Sequence, residues 1–178
     1  MNMKKLSVAA VVMLGLGVTA AQADDGSLNF TGEVSASSCS VAASSTVIPV
    51  TFDSVSAASL DSIAPGATSA ALQKQFSISL VGCPEGVSVA KIKLDGKTSG
   101  ITPNAFVGSS TASYVGIVIS DAETNTIITP KVFGGDKAIV AGSENVLNYL
   151  VGLTKTTDTS NAGAGTVNVP VTFTMSYE

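Results

Sequence analysis

The last 14 residues of the chain, Gly165 to Glu178, read "GTVNVPVTFTMSYE". From position 167 to position 177, apolar side chains occupy the odd positions, and polar residues or proline occupy the even ones. Because successive side chains of a β-strand point to opposite faces, this alternation predicts a strand with one apolar face. It is also the last strand of the sequence. The question it raises is which segment pairs with its edge.

The first 23 residues have the pattern of a secretory signal peptide. Lys4 and Lys5 precede an apolar run over residues 6–18, and residues 21–23 (AQA) form a small-residue cleavage site. The apolar run is shorter than the about 20 residues that cross a bilayer. We therefore expect an exported mature chain of 178 − 23 = 155 residues, which is the size of one domain.

The charge of the mature chain argues against a nucleic-acid partner. Removing Lys4 and Lys5 leaves 9 − 2 = 7 lysines against 13 acidic residues, a net charge of 7 − 13 = −6. The sequence contains no arginine, so it lacks the basic patch that phosphate backbones require. We expect no nucleic acid among the partners.

Little in the sequence supports catalysis or a cofactor. Without histidine there is no Ser-His-Asp or Cys-His arrangement and no histidine-ligated metal. A carboxylate pair such as Asp121 and Glu123 remains open as a glycoside-hydrolysing pair, although solvated turn residues are the preferred interpretation. We expect no enzyme, no metal and no cofactor.

Short apolar segments separated by turn signals predict the fold class. Strands are expected over residues 28–41, 47–52, 76–83, 87–94, 114–120, 127–128, 145–153 and 167–177. We expect turns at 95–96 and 134–136, a Ser/Ala-rich loop around 65–66, a polar excursion over 99–113, a Ser/Thr/Gly-rich connector over 154–165 and only weak helical character over 69–75. The prediction is all-β: an antiparallel sandwich resembling an immunoglobulin domain, though without the buried tryptophan of antibody domains.

Two cysteines, Cys39 and Cys83, remain in the exported chain. In an oxidising compartment such a pair is expected to form one disulfide. Closing a loop of 83 − 39 = 44 residues is worth about 4 kcal/mol in the chain-entropy model.

Four elements of the chain, in this order, resemble chaperone–usher pilins, the subunits of type 1 and P-type fimbriae. They are Phe30-x-Gly32-Glu33-Val34 before Cys39, Phe76-x-Ile78-x-Leu80-x-x-Cys83, Gly165 as the fourteenth residue from the carboxyl end, and Tyr177 as the penultimate one. The resemblance covers residues 24–178.

The resemblance implies an incomplete immunoglobulin-like sandwich that lacks its last strand and is completed by donor-strand complementation. Residues 24–38 are then a donor-strand extension and residues 39–178 the pilin domain. The donor side chains are expected at Leu28, Phe30, Gly32 and Val34. The acceptor groove and the surface read by a chaperone are expected at Gly165, Val167, Val169, Val171, Phe173, Met175, Tyr177 and Glu178.

The function implied by the resemblance is that of a structural fimbrial subunit that polymerises through its N-terminal strand. Its expected partners are a periplasmic chaperone, an outer-membrane usher and other copies of itself or related pilins. It is expected to pass through the periplasm to a fimbria on the bacterial surface. The alternative is a minor or tip-associated adhesive subunit that binds a host receptor.

Two features depart from the family pattern. Only the six residues from Asp24 to Asn29 precede Phe30, which is short for a donor extension. Pro170 interrupts the closing strand and lacks a backbone N–H, so we expect that position to fall outside the hydrogen-bonded ladder.

Overall fold

The computed structural model describes residues 38–178, which form two antiparallel β-sheets. The expectations for the signal peptide, for its cleavage after residue 23 and for the donor side chains Leu28, Phe30, Gly32 and Val34 lie outside the described residues.

The first sheet has four strands, in the order β1-β2-β6-β4. They are β1 (Ser40–Val41), β2 (Gln73–Val81), β6 (Asn145–Lys155) and β4 (Val115–Asp121). In the register of the central strands, Phe76 lies opposite Tyr149, and Ile119 lies opposite Val151. The inward residues of the three long strands therefore share one apolar face.

The second sheet has three strands, in the order β5-β3-β7. They are β5 (Phe133–Ala138), β3 (Val89–Asp95) and β7 (Thr172–Tyr177). β7 pairs with β3 over six residues, with Ile92 opposite Met175 and Leu94 opposite Phe173. β7 therefore lies at one edge of this sheet and β5 at the other.

The core fills the space between the two inner faces. Ile78 and Leu80 of β2, Ile92 of β3 and Tyr149 of β6 are fully buried there. Burying a side chain of this size contributes about 1.5–3 kcal/mol. Alternating inward positions on both sheets are the physical basis of the sandwich.

Helical structure in the described part of the chain is short. It consists of α1 (Ala57–Asp61) and two 3-10 turns, Ala43–Ser45 and Ala70–Leu72. α1 begins after Ser56, whose hydroxyl accepts a hydrogen bond from the backbone N–H of Ser59 at 3.2 Å. Over residues 38–178, none of these helical segments is both long and apolar enough to cross a bilayer.

The predicted fold class and the predicted disulfide are confirmed. The sandwich is antiparallel and contains little helix, and a disulfide joins Cys39 to Cys83 beside β1 and β2. Four of the expected strands are present near their predicted places, as β2, β3, β4 and β6. The closing strand expected at 167–177 is a strand only over β7 (Thr172–Tyr177).

The turn predicted at residues 134–136 was wrong, because these residues belong to β5. Gly135 has φ +62° at the point where the register of β5 against β3 shifts, so the glycines serve an edge bulge instead of a chain reversal. The hairpin turn predicted at residues 95–96 was also wrong. The chain runs on past Gly96 and reverses later, where Thr98 bridges to Phe106.

Other boundaries also differ from the prediction. The segment 69–75 has a 3-10 turn followed by the start of β2 where weak helical character was expected. Residues 47–52 pair with no strand within the described part of the chain, although they alternate in burial. Residues 127–128 form only an isolated bridge to β4, through Ile127 and Ser120. β6 extends to Lys155, into the predicted connector.

An open groove along the last strand

A long apolar groove of about 690 Å³ lies between two extended segments, residues 47–52 and residues 167–173. Ile48, Val50 and Phe52 point into it from the first segment, and their intervening residues are exposed. The second segment contributes Val167, Val169, Val171 and Phe173. Each wall is thus an alternating apolar stretch with its apolar side turned toward the other wall.

The floor of the groove is the core of the sandwich itself. It consists of Phe76, Ile78, Ile92, Leu94, Ile117, Ile119 and Val151, which come from both sheets. Phe76 is half-buried and the other six residues are at most 7% exposed, so the apolar surface open to solvent belongs mainly to the half-buried walls of the groove. Covering this surface is favourable at about 25 cal/mol per Å² of apolar area.

The second feature of the groove is the backbone edge of β7. β7 hydrogen-bonds to β3 on one side, and no backbone group within residues 38–178 pairs with its other side. Residues before β7 are held by a neighbouring loop, in which Thr111 and Ala112 donate their N–H groups to the carbonyl of Thr166 at 2.9 and 3.1 Å. The edge toward the groove presents donors and acceptors to an added strand.

Pro170 lies on this wall, two residues before β7 begins. Its missing N–H therefore interrupts none of the hydrogen bonds between β3 and β7. That Pro170 also falls at a position without a hydrogen bond to an inserted strand stays a prediction.

A second cavity, of about 570 Å³, continues the groove at its far end. Both are lined by Val50, Phe52 and Val167, and Gly165 lines only the second. A Cβ atom at Gly165 would lie 2.6 Å from the carbonyl carbon of Thr111, so only glycine allows this close approach of two backbones. The groove thus extends along the entire stretch from residue 165 to residue 173.

The carboxyl end of β7 has its own contacts. Met175 and Tyr177 are half-buried and pack against the core, and burial raises the pKa of the Tyr177 hydroxyl. The Glu178 carbonyl accepts hydrogen bonds from the N–H groups of Ser88 at 2.7 Å and Val89 at 2.9 Å. The Glu178 side chain pairs with Lys91 Nζ at 2.8 Å, and this hydrogen bond raises the pKa of Lys91.

Four of the residues predicted for the acceptor side line the main groove, and the others lie in line with it. Val167, Val169, Val171 and Phe173 form its wall, Gly165 lies at one end, and Met175, Tyr177 and Glu178 continue β7 past the other end. The sequence analysis missed the opposite wall, Ile48, Val50 and Phe52, although their alternation was visible within the strand predicted at 47–52.

The described residues contain no group of three or more His, Cys, Asp and Glu residues that could hold a metal ion. The carboxylates considered for hydrolysis, Asp121 and Glu123, both approach Lys137, at 2.7 and 3.1 Å. Burial raises the pKa of Asp121, but the ion pair with Lys137 and the hydrogen bonds from the backbone N–H groups of Thr124 and Glu123 outweigh it and lower the pKa overall. A general acid needs a raised pKa, so Asp121 is unsuited to that role.

Comparisons with known proteins identify the family of this chain. A family model described as "Fimbrial protein" matches residues 28–178. The chain belongs to the fimbrial protein family. Along almost its whole length it is also similar to Long polar fimbria protein A of Salmonella typhimurium strain LT2, with 29% identity over 183 residues, covering 99% of this chain and 98% of that protein.

Solved structures show the same fold in other fimbrial proteins. The P pilus rod subunit PapA matches with a TM-score of 0.64 and 20% identity, over 79% of this chain and 99% of that one. A chaperone–usher pilus, solved to explain rod uncoiling, matches with a TM-score of 0.62 and 22% identity, over 86% and 95%. A Burkholderia pseudomallei antigen and type I fimbria protein matches with a TM-score of 0.54 and 24% identity, over 78% and 88%.

The family identifies this chain as a fimbrial protein, and a chaperone–usher pilus is among the solved structures that share its fold. The fold of these neighbours is immunoglobulin-like, as predicted for this chain.

Proposed function

We propose that this fimbrial protein is a structural shaft subunit, and that its groove accepts the N-terminal strand of a neighbouring subunit. The observation that carries the proposal is the combination of an apolar groove with an unpaired backbone edge along one wall. An inserted strand would satisfy the free edge of β7 and cover the half-buried apolar walls of the groove in one step. Either feature alone would be a hazard in an isolated protein.

The donor is residues 24–38 of another copy, or of a related pilin. Leu28, Phe30 and Val34 supply apolar side chains at alternating positions, as the groove requires. Each contributes about 1.5–3 kcal/mol if fully buried. Gly32 takes the position at which the groove leaves no room for a side chain. On the acceptor side, Gly165, Val167, Val169, Val171 and Phe173 receive the donor, and Met175 continues their inward face.

Assembly requires that the groove be covered before the neighbour arrives. We propose that a periplasmic chaperone covers it first and contacts Tyr177 and Glu178, and that an outer-membrane usher then exchanges the chaperone for the next subunit. The route passes through the periplasm and ends in a surface fimbria. The protein has no catalytic role in this scheme.

The test is to move residues 24–38 behind Glu178 through a short linker. The rearranged chain is expected to fold without the chaperone and to unfold at a higher temperature than the processed chain, because its groove is filled in cis. A rearranged chain with no gain in melting temperature and continued dependence on the chaperone would contradict the donor assignment.

A matched pair of substitutions tests whether the donor peptide binds in the groove or elsewhere on the surface. Val171→Asp places a charge inside the groove, while Val146→Asp places the same charge at an exposed valine of β6. Only V171D is expected to abolish binding of a synthetic peptide of residues 24–38, measured by titration calorimetry. Equal loss of binding in both variants would contradict the assignment of the groove.

An adhesive subunit that binds a host receptor is the second candidate. Electron microscopy of cells that lack the gene distinguishes the two. Loss of entire fibres supports the shaft subunit, and intact fibres with lost host-cell binding support the adhesin.

A further inference from the structure

Exposed apolar side chains lie at both ends of the sandwich, and the chain enters the fold at one of these ends. Cys39 marks this end, which we call the entry end, through its disulfide to Cys83. The end of β7 lies there as well, since Ser88, shortly after Cys83, donates its N–H to the carbonyl of Glu178 at 2.7 Å. The opposite end of the sandwich is the far end of the groove, at Gly165.

Three exposed valines surround the entry end. Val81 is the last residue of β2, and Val146 is the second residue of β6. Because Val146 lies opposite Ser79, two residues before Val81, the two valines are diagonal neighbours on the outer face of the first sheet. Val140 is held near them, since its N–H and its carbonyl both bond the side-chain amide of Asn145, at 2.8 and 3.0 Å. We call these three valines the entry patch.

Two exposed apolar side chains, Ile101 and Tyr114, lie at the far end. Thr156 connects their loops. Its N–H donates to the carbonyl of Tyr114 at 2.9 Å, and its carbonyl accepts a hydrogen bond from the Thr102 hydroxyl at 2.8 Å. We call Ile101 and Tyr114 the far patch.

Tyr114 borders the groove and has an unfavourable backbone conformation. The carbonyl of Ser113 accepts a hydrogen bond from the N–H of Gly163 at 2.8 Å, and Gly163 lines the second cavity, which continues the groove. The φ of Tyr114 is +59°, in the left-handed region that bulky residues rarely adopt. Such strain is typical of functional positions, and tyrosine is enriched among the residues that dominate binding at interfaces.

The donor extension limits the distance between two successive subunits. In the proposed arrangement, Val34 is the last inward donor residue, and Cys39 follows five residues later. Five residues of fully extended chain span at most about 17 Å. The entry end of one copy therefore lies within this distance of the point at which its donor strand leaves the neighbour's groove.

The direction of the donor decides which end of the neighbour this is. β7 runs toward the entry end, so a donor antiparallel to it runs toward Gly165 and leaves at the far end. A parallel donor would leave at the entry end, where the neighbour's own donor extension also begins, and three bodies would crowd at one point. A head-to-tail succession of copies therefore requires the antiparallel direction.

We propose that the entry patch of one copy packs against the far patch of the copy whose groove holds its donor strand. This inference rests on the proposed function, and the partner is a second copy of this chain. A contact of five side chains is too small to hold two proteins together by itself. The donor strand tethers the two patches at a high effective concentration, which lets a small contact form. Its consequence is a fixed angle between successive subunits.

The experiment maps this contact by photo-cross-linking in fibres sheared from cells that express the full chain. The photoreactive residue p-benzoylphenylalanine replaces Tyr114, and the illuminated fibres are reduced, digested with trypsin and analysed by mass spectrometry. Cross-links between copies are expected in the tryptic peptides 75–91 and 138–155, which contain the three valines of the entry patch. If this replacement prevents assembly, the probe replaces Ile101 instead.

A matched control places the same probe at Val132. This valine is also exposed, but it lines the third cavity together with Asp121, on the side of the sandwich away from the groove. The control is expected to give no cross-link to peptides 75–91 and 138–155 of another copy.

Charge substitutions measure what the contact contributes to the fibre. Tyr114→Asp with Val146→Asp places like charges on the two patches and is expected to make fibres dissociate at least tenfold faster in denaturant. Tyr114→Lys with Val146→Asp restores attraction and is expected to return the rate to that of the parent. Lysine is compatible with the backbone at position 114, because Lys131 has φ +65° in the same chain. Binding of the isolated peptide of residues 24–38 is expected to stay unchanged in both variants, because the peptide carries no entry patch.

The outcomes separate the two levels of inference. A parent chain that forms no fibres would contradict the proposed function and this contact with it. Fibres in which the far-patch probes reach neither peptide would contradict the contact alone. The same conclusion would follow if the double-aspartate variant dissociated at the parent rate, or if Tyr114→Lys did not slow the dissociation of the Val146→Asp fibres.

Discussion

Tyr149 combines full burial with an unsatisfied hydroxyl. Its side chain has no exposed surface, and its hydroxyl has no hydrogen-bond partner within residues 38–178. The ring compensates in part, since it packs against Phe76 at 5.6 Å between centroids and lies 6.0 Å from Lys137 Nζ. Burial, together with the charge of Asp121, raises the pKa of Tyr149, so the hydroxyl stays neutral.

Replacing Tyr149 by Phe is expected to raise the free energy of unfolding by about 1 kcal/mol, because the variant no longer desolvates an unpaired hydroxyl. Urea denaturation measures this change. Tyr114→Phe, at a tyrosine that is 46% exposed, is the matched control and is expected to change little. A loss of stability in Y149F would show that the hydroxyl is hydrogen-bonded after all.

The ionisation of the Asp121 carboxyl makes the stability of the folded protein depend on pH. Its pKa in the folded protein lies below the ordinary value of 3.8, because Lys137 and two backbone N–H groups outweigh the effect of burial. A carboxyl with a lowered folded pKa stabilises the protein fully above its unfolded pKa. This contribution disappears as the pH falls through the folded pKa.

The parent chain is therefore expected to lose stability more steeply than D121N/K137M below pH 3.8. Denaturant midpoints measured at intervals between about pH 6 and pH 2 give the two curves. Lys137→Met alone is expected to cost about 3–5 kcal/mol near neutral pH, because it leaves the Asp121 carboxylate buried without a partner. Parallel curves for the parent and the double variant would contradict a stabilising role of the Asp121 charge.

At the scale of elements, one wall of the groove depends on a close backbone contact. A Cβ atom at Gly108 would collide with the carbonyl oxygen of Asn168 and lie 2.8 Å from Cα of Val169. Ser110 also accepts a hydrogen bond from the N–H of Asn168 at 3.1 Å. The loop around residue 108 thus supports the segment that precedes β7 from behind and positions its apolar side chains.

Gly108→Ala is expected to displace the segment around Val169 and to weaken binding of the residue 24–38 peptide at least about tenfold, equivalent to 1.4 kcal/mol. Gly100→Ala is the matched control, since a Cβ atom there meets nothing within 4 Å. Calorimetric titration of both variants measures the difference. Unchanged binding in G108A would show that the wall does not depend on this contact.

At the scale of the whole molecule, the disulfide holds the other wall of the groove. β1 has only two residues, and its two pairings with β2 lie next to the bond between Cys39 and Cys83. The segment that leaves β1 continues to residues 47–52, which have no strand partner of their own within the described chain. The disulfide thus constrains a weakly paired region.

Replacing both cysteines by serine is expected to lower the free energy of unfolding by about 4 kcal/mol, the chain-entropy value for a loop of this length. Thermal denaturation of the variant beside the parent, with and without reductant, checks this value. Reductant is expected to lower the melting temperature of the parent and to leave that of the variant unchanged. A parent chain whose stability is insensitive to reduction would contradict this role.

The strands and the disulfide were predictable, because their signals are local or unique. Alternating side chains at 76–80 and 173–177 predict inward faces without any knowledge of the fold. A single pair of cysteines in an exported chain leaves one pairing. The bulge in β5 was missed because Gly134 and Gly135 are equally typical of a turn, and only pairing with β3 distinguishes the two.

Alternation along the chain is enough to predict short strands with apolar faces, including one such face on the last strand. It does not predict which edges meet: residues 48–52 face residues 167–173 across an open groove, and Lys137 of β5 meets Asp121 of β4. Alternation records which side of a strand is buried, while the order of strands follows from packing between segments far apart in the sequence.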